Sequence, residues 1–253
     1  MTAGFRLQAV NLSTVREQIV NCERCPRLRT YCAHIAREKK PAHREDRYWG
    51  RPVPGFGDPQ ARLLILGLAP AAHGANRTGR VFTGDGSGDF LMRALHRTGF
   101  ANIPTSRRTD DGLELRDAYI AAAVRCAPPH NKPTPKELRT CQLHLEAEIK
   151  ALPRLQVVVA LGKIAFDTWW RVMAASDMNP TPRPLFGHGL RYAIDGAGTG
   201  MSTRVRVVIA SYHPSRQNTN TGKLTPAMLE SVFRKAKRDL QESRQSTVER
   251  LPD

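Results

Sequence analysis

Short apolar runs recur along the chain, and each is followed by a stretch with helical period. Leu63-Leu64-Ile65-Leu66 stands between Arg62 and Gly67, and four consecutive apolar residues bounded in this way predict a buried strand over Arg62–Gly67. Asp117–Val124, Gln156–Leu161 and Arg204–Ala210 read as three further strands, and Leu190–Ile194 as a short additional one. Between them lie helical patterns near Gly88–Arg97, from Thr134 to about Leu152, over Lys163–Ala175, and from Pro226 to Gln241. Thr134-Pro135-Lys136-Glu137 carries three start signals: a capping Thr, Pro at the first helical position and Glu to close a capping box. Thr225-Pro226 opens the final helix in the same manner, and a short helix over residues 11–21 is expected with Ser13 as its cap.

Strand and helix alternate with room for a crossover each time. The expected fold is therefore α/β, a three-layer α/β/α sandwich around a central, mainly parallel four-stranded sheet. Residues 1–253 read as a single domain, with an N-terminal segment 1–60 wrapping its surface and a polar, frayed tail over 244–253. Ligands of such sheets bind beyond the carboxyl ends of the strands. Two unusual loops, 68–87 and 211–223, each follow a strand directly, so both belong at that edge.

Composition narrows the function. With 253 residues, 40% hydrophobic and 25% charged, the chain can bury a core. No apolar run nears the roughly 20 residues that span a bilayer. The N-terminus lacks the apolar core of a secretory signal, so a cytoplasmic protein with reduced cysteines is expected. The formal net charge is +16, and the excess is spread along the chain. A basic globular protein of this kind points to a polyanion, most often nucleic acid. Nothing demands more than a monomer.

The cysteines are Cys22, Cys25, Cys32, Cys126 and Cys141. Cys22-Glu23-Arg24-Cys25 is a C-x-x-C pair, Cys126 sits just past the second strand, and Cys141 lies in the following helix. Four such thiolates can hold a [4Fe–4S] cluster or a zinc ion. The alternative is that Cys126 and Cys141 are ordinary buried thiols, and Cys25 with Cys32 is a second possible pair.

The first loop runs Gly67-Leu68-Ala69-Pro70-Ala71-Ala72-His73-Gly74-Ala75-Asn76-Arg77-Thr78-Gly79-Arg80-Val81-Phe82-Thr83-Gly84-Asp85. Small residues after a strand let backbone approach a ligand. Phe82, in a largely polar stretch, suits stacking on a flat ring. The second runs from Ser211 to Thr225 and places the imidazole of His213-Pro214-Ser215 just past a strand.

Together these loops closely resemble the two long motifs of the iron–sulfur uracil-DNA glycosylases, specifically the B-type or fifth family. Ala123–Pro135 resembles the segment joining that family's uracil-reading residue to a cluster cysteine, and the likeness runs from about Cys22 to the last helix. The resemblance implies excision of uracil from DNA in base-excision repair, leaving an abasic site. It implies a [4Fe–4S] cluster on Cys22, Cys25, Cys126 and Cys141, stapling the N-terminal segment to the core. It further implies Phe82 stacking on a flipped base, Asn131 reading its edge, Gly67, Ala69 and His73 contacting it, and His213 donating to O2. Ser211, Ser215, Arg216, Asn218 and Thr221 would grip DNA, with Arg216 entering the gap left by the base. No carboxylate stands early in the first loop. Asp85 is therefore the first candidate to orient the attacking water and Asn76 the second, with helix capping as the alternative role for Asp85. Asn131 can equally be a plain loop residue. The Ala121-Ala122-Ala123 run lacks the Asn that related families use to read uracil, so tolerance of other deaminated bases such as hypoxanthine is expected. The competing reading is a non-catalytic iron–sulfur or zinc protein that binds damaged DNA.

Overall fold

The computed structural model describes residues 11–175, 184–194 and 205–248, the stretch 243–248 by its backbone alone. Its strands are β1 (Phe56–Gly57), β2 (Leu63–Gly67), β3 (Ala118–Ala122), β4 (Val157–Leu161), β5 (Arg191–Ala193) and β6 (Val207–Ser211). They form one sheet in the order β1-β3-β2-β4-β6-β5. The four expected strands are the inner four, and they pair in parallel. The count of four is corrected to six: β1 and β5 add to the two edges in antiparallel fashion. β5 falls within the expected Leu190–Ile194 segment. A two-residue strand such as β1 is too short to show any period in the sequence.

The helices are α1 (Leu12–Val20), α2 (Pro26–Glu38), α3 (Ala75–Thr78), α4 (Gly86–Thr98), α5 (Pro135–Lys150), α6 (Lys163–Ala174), α7 (Arg216–Asn220) and α8 (Pro226–Val248). Alternate side chains of a strand face opposite ways, and β2 shows the result. Leu63 and Ile65 join Leu91 and Leu95 of α4 and Leu229 and Phe233 of α8 on one face. Leu64 and Leu66 join Leu145 and Ile149 of α5 and Phe166 and Trp169 of α6 on the other. Each such burial contributes about 1.5–3 kcal/mol, which makes the three-layer arrangement the one that hides both faces of the sheet.

Local signals set the helix ends. Thr134 and Glu137 make both halves of the capping box at α5. Thr225 Oγ1 accepts from the Met228 amide at α8. Asn11 rather than Ser13 caps α1, its Oδ1 accepting from Thr14 at 2.8 Å. The final helix continues seven residues beyond Gln241 to Val248, so only residues 249–253 of the expected frayed tail remain, and they lie outside the described residues. Among the described residues no helix is long and apolar enough to cross a membrane.

The parallel register aligns Gly67 with Ala122 and Leu161 with Ser211. The loops after β2, β3, β4 and β6 therefore leave the sheet at one edge. A third buried cluster sits beside that edge, where Leu28 and Cys32 of α2 meet Ala123, Val124, Cys126, Leu138 and Cys141.

Candidate active site and cysteine cavity

The two unusual loops meet ring to ring. The centroids of Phe82 and His213 lie 5.7 Å apart at an interplanar angle of 30°. Phe82 adopts φ +50°, a left-handed conformation disfavoured for a bulky residue. Its ring lies where a Cβ on Gly67 would stand, 2.7 Å from Cε2, so glycine at the end of β2 makes room for it.

Two arginines hold the loop in this shape. Arg77 donates Nε to His73 O at 2.9 Å, Nη2 to Gly84 O at 2.9 Å and Nη1 to Asp46 at 2.7 Å. Buried Arg80 donates Nε to Thr83 Oγ1 at 2.9 Å and Nη2 to Asp111 at 2.8 Å and Ser106 Oγ at 3.1 Å. Although burial pushes the Asp111 carboxyl up, Arg80 and the amides of Arg107, Arg108 and Leu113 outweigh it and hold the group below its ordinary range. The Gly84 amide then donates to Ser106 O at 2.8 Å. These cross-links offset the strain at Phe82.

Asp85 caps α4, its Oδ1 accepting from the Gly88 amide at 2.9 Å. Its Oδ2 lies 2.1 Å from where a Cβ on Gly74 would be. Burial pushes this carboxyl above the usual carboxylate range, against the pull of the Gly88 and Ser87 amides. Asp85 shares an open cleft with Asp46, Asp89, Arg77, Arg107, Arg108 and Arg216; Arg77 is paired with Asp46, which leaves Arg107, Arg108 and Arg216 as the guanidinium groups there that suit phosphate. Arg107 and Arg108 carry little signal in the sequence beyond their adjacency just before Asp110-Asp111.

Burial pulls the pKa of His213 down to about 4, so its ring is neutral at pH 7. Its carbonyl accepts from Asn218 Nδ2 at 2.9 Å, and Ser215 caps α7, so these two side chains shape the loop. Arg216 is exposed and lies beside Gly86. Thr221 Oγ1 donates back to Gln217 O at 2.6 Å. His188, which the sequence reading passed over, braces this loop: its Nδ1 accepts from the Tyr212 amide at 3.2 Å. A lone His between Gly187 and Gly189 was its only sequence signal.

Several candidates are placed elsewhere than expected. Asn76 is buried, and its Nδ2 reaches Cys32 O at 3.3 Å and Ala72 O at 3.4 Å. Its Nδ2 ties the loop to α2, while its Oδ1 is buried and has no hydrogen-bond partner among the described residues, so the side chain is not presented to solvent. Ser211 is corrected in the same way: fully buried, it donates to Tyr212 O at 3.0 Å and has no face for a phosphate. His73 shares a 3.0 Å hydrogen bond between Nδ1 and the Tyr48 hydroxyl. Ala69 packs against the cysteine-bearing cluster. Asn131 is exposed at φ +56°, directly after His130 at φ +53°. Its segment starts beside the first loop, since the amides of Ala123 and Val124 donate to Gly67 O and Leu68 O.

Cys22, Cys25, Cys126 and Cys141 line one cavity together with Arg24, Arg29, Arg125 and His144. All five cysteines are free thiols. Cys32 packs behind Cys126 and donates to Ala127 O at 3.6 Å. Burial pushes Cys141 up to about 11 and also raises Cys25. Among the described residues no three His, Cys, Asp or Glu side chains converge closely enough to hold a single metal ion. The donor set of four sulfurs around one cavity, walled by cations, does fit an anionic iron–sulfur cluster.

Comparison with known proteins agrees with this architecture. The family model for the uracil DNA glycosylase superfamily matches residues 54–237. A type-5 uracil-DNA glycosylase of Thermus thermophilus is 48% identical over 222 residues, covering 88% of this chain and 95% of that protein. One from Mycobacterium tuberculosis is 50% identical over 218 residues, covering 86% and 77%. A type-4 uracil-DNA glycosylase of Pyrobaculum aerophilum is 29% identical over 166 residues, covering 65% and 67%. The match spans the parallel sheet and both loops that bring Phe82 to His213, and the chain belongs to the uracil-DNA glycosylase superfamily.

Proposed function

We propose that this chain is a monofunctional DNA glycosylase of base-excision repair that hydrolyses the N-glycosidic bond of uracil in DNA. The observation that carries the reading is the meeting of Phe82, on its glycine-backed strained loop, with the neutral ring of His213 at the carboxyl edge of the sheet. A base must leave the stack to be reached, and Phe82 supplies the aromatic face it lands on. As the bond from the base nitrogen to C1′ breaks, negative charge gathers on the base. The imidazole N–H of His213 donates to O2 and stabilises that charge by about 2.7–4 kcal/mol. A neutral donor is suited here because it stays protonated on one nitrogen across the physiological range. The water oxygen adds to C1′ and its proton leaves; Asp85, ionised, orients that water and accepts the proton. Asn131 can read the base edge, since an amide both donates and accepts. Arg216, Arg107 and Arg108 supply positive charge for the DNA backbone, which positions the strand without reading it.

Cys22, Cys25, Cys126 and Cys141 would hold a [4Fe–4S] cluster, whose contribution is to staple the N-terminal segment to α5 and the end of β3. The free thiols suit a reducing, cytoplasmic compartment. The single domain is read as a monomer. Because Ala121-Ala122-Ala123 offers no polar side chain at the base edge, other deaminated bases such as hypoxanthine are accepted.

The test is alkali-induced strand cleavage of a labelled duplex carrying one uracil, beside hypoxanthine and unmodified duplexes. Cleavage of the uracil duplex, absent from the unmodified one and lost in His213→Ala, is expected. Intact cleavage by His213→Ala removes the assigned donor. No cleavage of any duplex by cluster-containing protein overturns the enzyme reading in favour of a damaged-DNA binder. Uracil cleavage without hypoxanthine cleavage narrows the substrate.

A further inference from the structure

The cavity ringed by four cysteines has a wall that the proposed cluster ligation leaves unexplained. Arg125 is 1% exposed, yet its Nε and Nη1 have no hydrogen-bond partner among the described residues. Its Nη2 is ion-paired with Glu148 at 2.7 Å, and Glu148 is equally buried. Glu148 is itself anchored, its Oε1 accepting from the Gly55 amide at 2.8 Å and the Tyr119 hydroxyl at 3.1 Å. The carboxylate thus holds the guanidinium from one side only. His144 stands one turn beyond Cys141, is 7% exposed, and its Nε2 also lacks a partner. Both residues line the cysteine cavity. Buried donors left unmade are costly, and native proteins rarely tolerate them without a ligand, ion or water in reach. Among the described residues no carboxylate lines this cavity, whereas three arginines do. An iron–sulfur core ligated by thiolates is a net anion whose sulfurs accept hydrogen bonds, and those bonds help to set its potential.

We propose that Arg125 and His144 are hydrogen-bond donors to the sulfur atoms of the cluster, with Glu148, Tyr119 and Gly55 fixing the guanidinium in place. This rests on the reading that the four cysteines hold a [4Fe–4S] cluster. The pair stabilises the bound cluster and raises its reduction potential, because donors and positive charge favour the more negative, reduced state. The backbone contributes a third donor, since the Arg125 amide reaches Cys141 Sγ at 3.2 Å.

The test uses full-length protein purified without oxygen. Iron and sulfide analysis with absorption near 400 nm establishes the cluster in the wild type. Its midpoint potential and its bleaching rate in a chelator are then compared with those of His144→Phe, Arg125→Lys and the double variant Arg125→Met, Glu148→Gln. The double variant removes both buried charges at once, so no lone carboxylate is left to unfold the protein. Expected are potentials shifted to more negative values in His144→Phe and the double variant, with iron lost about 10- to 100-fold faster. Arg125→Lys, which keeps the charge and loses the fork, falls between. Loosened packing admits water, which favours the more negative reduced state and moves the potential positive, so a negative shift separates a lost donor from a merely structural change. Wild-type potential and bleaching rate in both His144→Phe and the double variant overturn the inference; if the double variant does not fold, His144→Phe decides it. Wild-type protein carrying zinc, or no iron and sulfide, overturns the cluster reading itself and this inference with it.

Discussion

Replacing Asp85 separates two jobs that one carboxylate performs. Its Oδ1 caps α4 through the Gly88 amide at 2.9 Å, and the same group is the one proposed above to orient water. Asn caps a helix about as well as Asp does, whereas Ala does not cap, and the loss costs about 1 kcal/mol. For a domain of this size that lowers Tm by roughly 2–4 °C. Asp85→Ala should show this drop. Asp85→Asn should not, and it removes a charge that burial already disfavours, so its Tm should match or exceed the wild type. Neither change empties the folded state, since total stability is on the order of 5–15 kcal/mol. The catalytic loss is different in size. Removing a positioned base costs about 10²–10⁴ in rate, or roughly 2.7–5.4 kcal/mol of barrier. Single-turnover excision with enzyme in excess, thermal melting and DNA binding by fluorescence anisotropy together resolve the cases. Both variants should bind DNA as the wild type does and excise uracil at least about a hundredfold more slowly. If Asp85→Asn excises within about tenfold of the wild type while Asp85→Ala melts early, Asp85 is a helix cap alone and the water is oriented by another group.

Gly67→Ala would place a Cβ 2.7 Å from Phe82 Cε2; the ring must move, and a displacement near 1 Å is expected to cost about 10²-fold in excision, with unchanged DNA affinity as the control and a wild-type rate as the refuting result. Arg80→Met strips half-buried Asp111 and buried Thr83 and Ser106 of their shared partner and should destabilise by about 3 kcal/mol in urea unfolding, less in an Asp111→Asn background; additive losses would show that the two residues are not coupled. His213 is held near pKa 4 when folded against an ordinary 6.5. The unfolded chain therefore binds a proton that the folded one refuses, and this part of the stability is full above pH 6.5 and is lost as pH falls toward 4. Tm measured across that window should fall less steeply in His213→Asn than in the wild type, and parallel curves would refute the assignment. Asp85 acts with the opposite sign, its raised pKa favouring the folded state below its unfolded value and losing that contribution as pH rises through its folded one.

The four inner strands, α5 with its capping box and the start of α8 were all legible because their signals are local. Four apolar residues between Arg62 and Gly67, or Thr134 three places before Glu137, state a period or a cap within one window. The two long loops and the C-x-x-C pair were legible as linear patterns for the same reason. β1 was not, being two residues held on β3 by pairing alone. Asn76 and Ser211 show the opposite error. Each is polar and stands within or beside one of the two long segments read for function, Asn76 in α3 and Ser211 at the end of β6, but burial decides what a polar group can reach, and both are buried. The capping role of Asp85 was legible because Asp85 and the Gly88 amide it caps lie within one short stretch of chain.

Strand–helix alternation, the shared edge of the loops and the choice of candidate chemistry thus follow from side-chain type and spacing, since hydrophobic period and capping act over a few residues. Which candidates meet does not follow. Phe82 reaches His213 because the parallel register puts β2 and β6 in one sheet with their ends level, and because Arg77 and Arg80 fold the first loop back through ion pairs to Asp46 and Asp111. The partner of Arg125 is Glu148, on a helix whose position depends on how α5 packs against the sheet. Contacts of this sort couple residues that no window spans, and only the packed structure, by excluding water from one side of each group, settles which of them are bound and which are left to act.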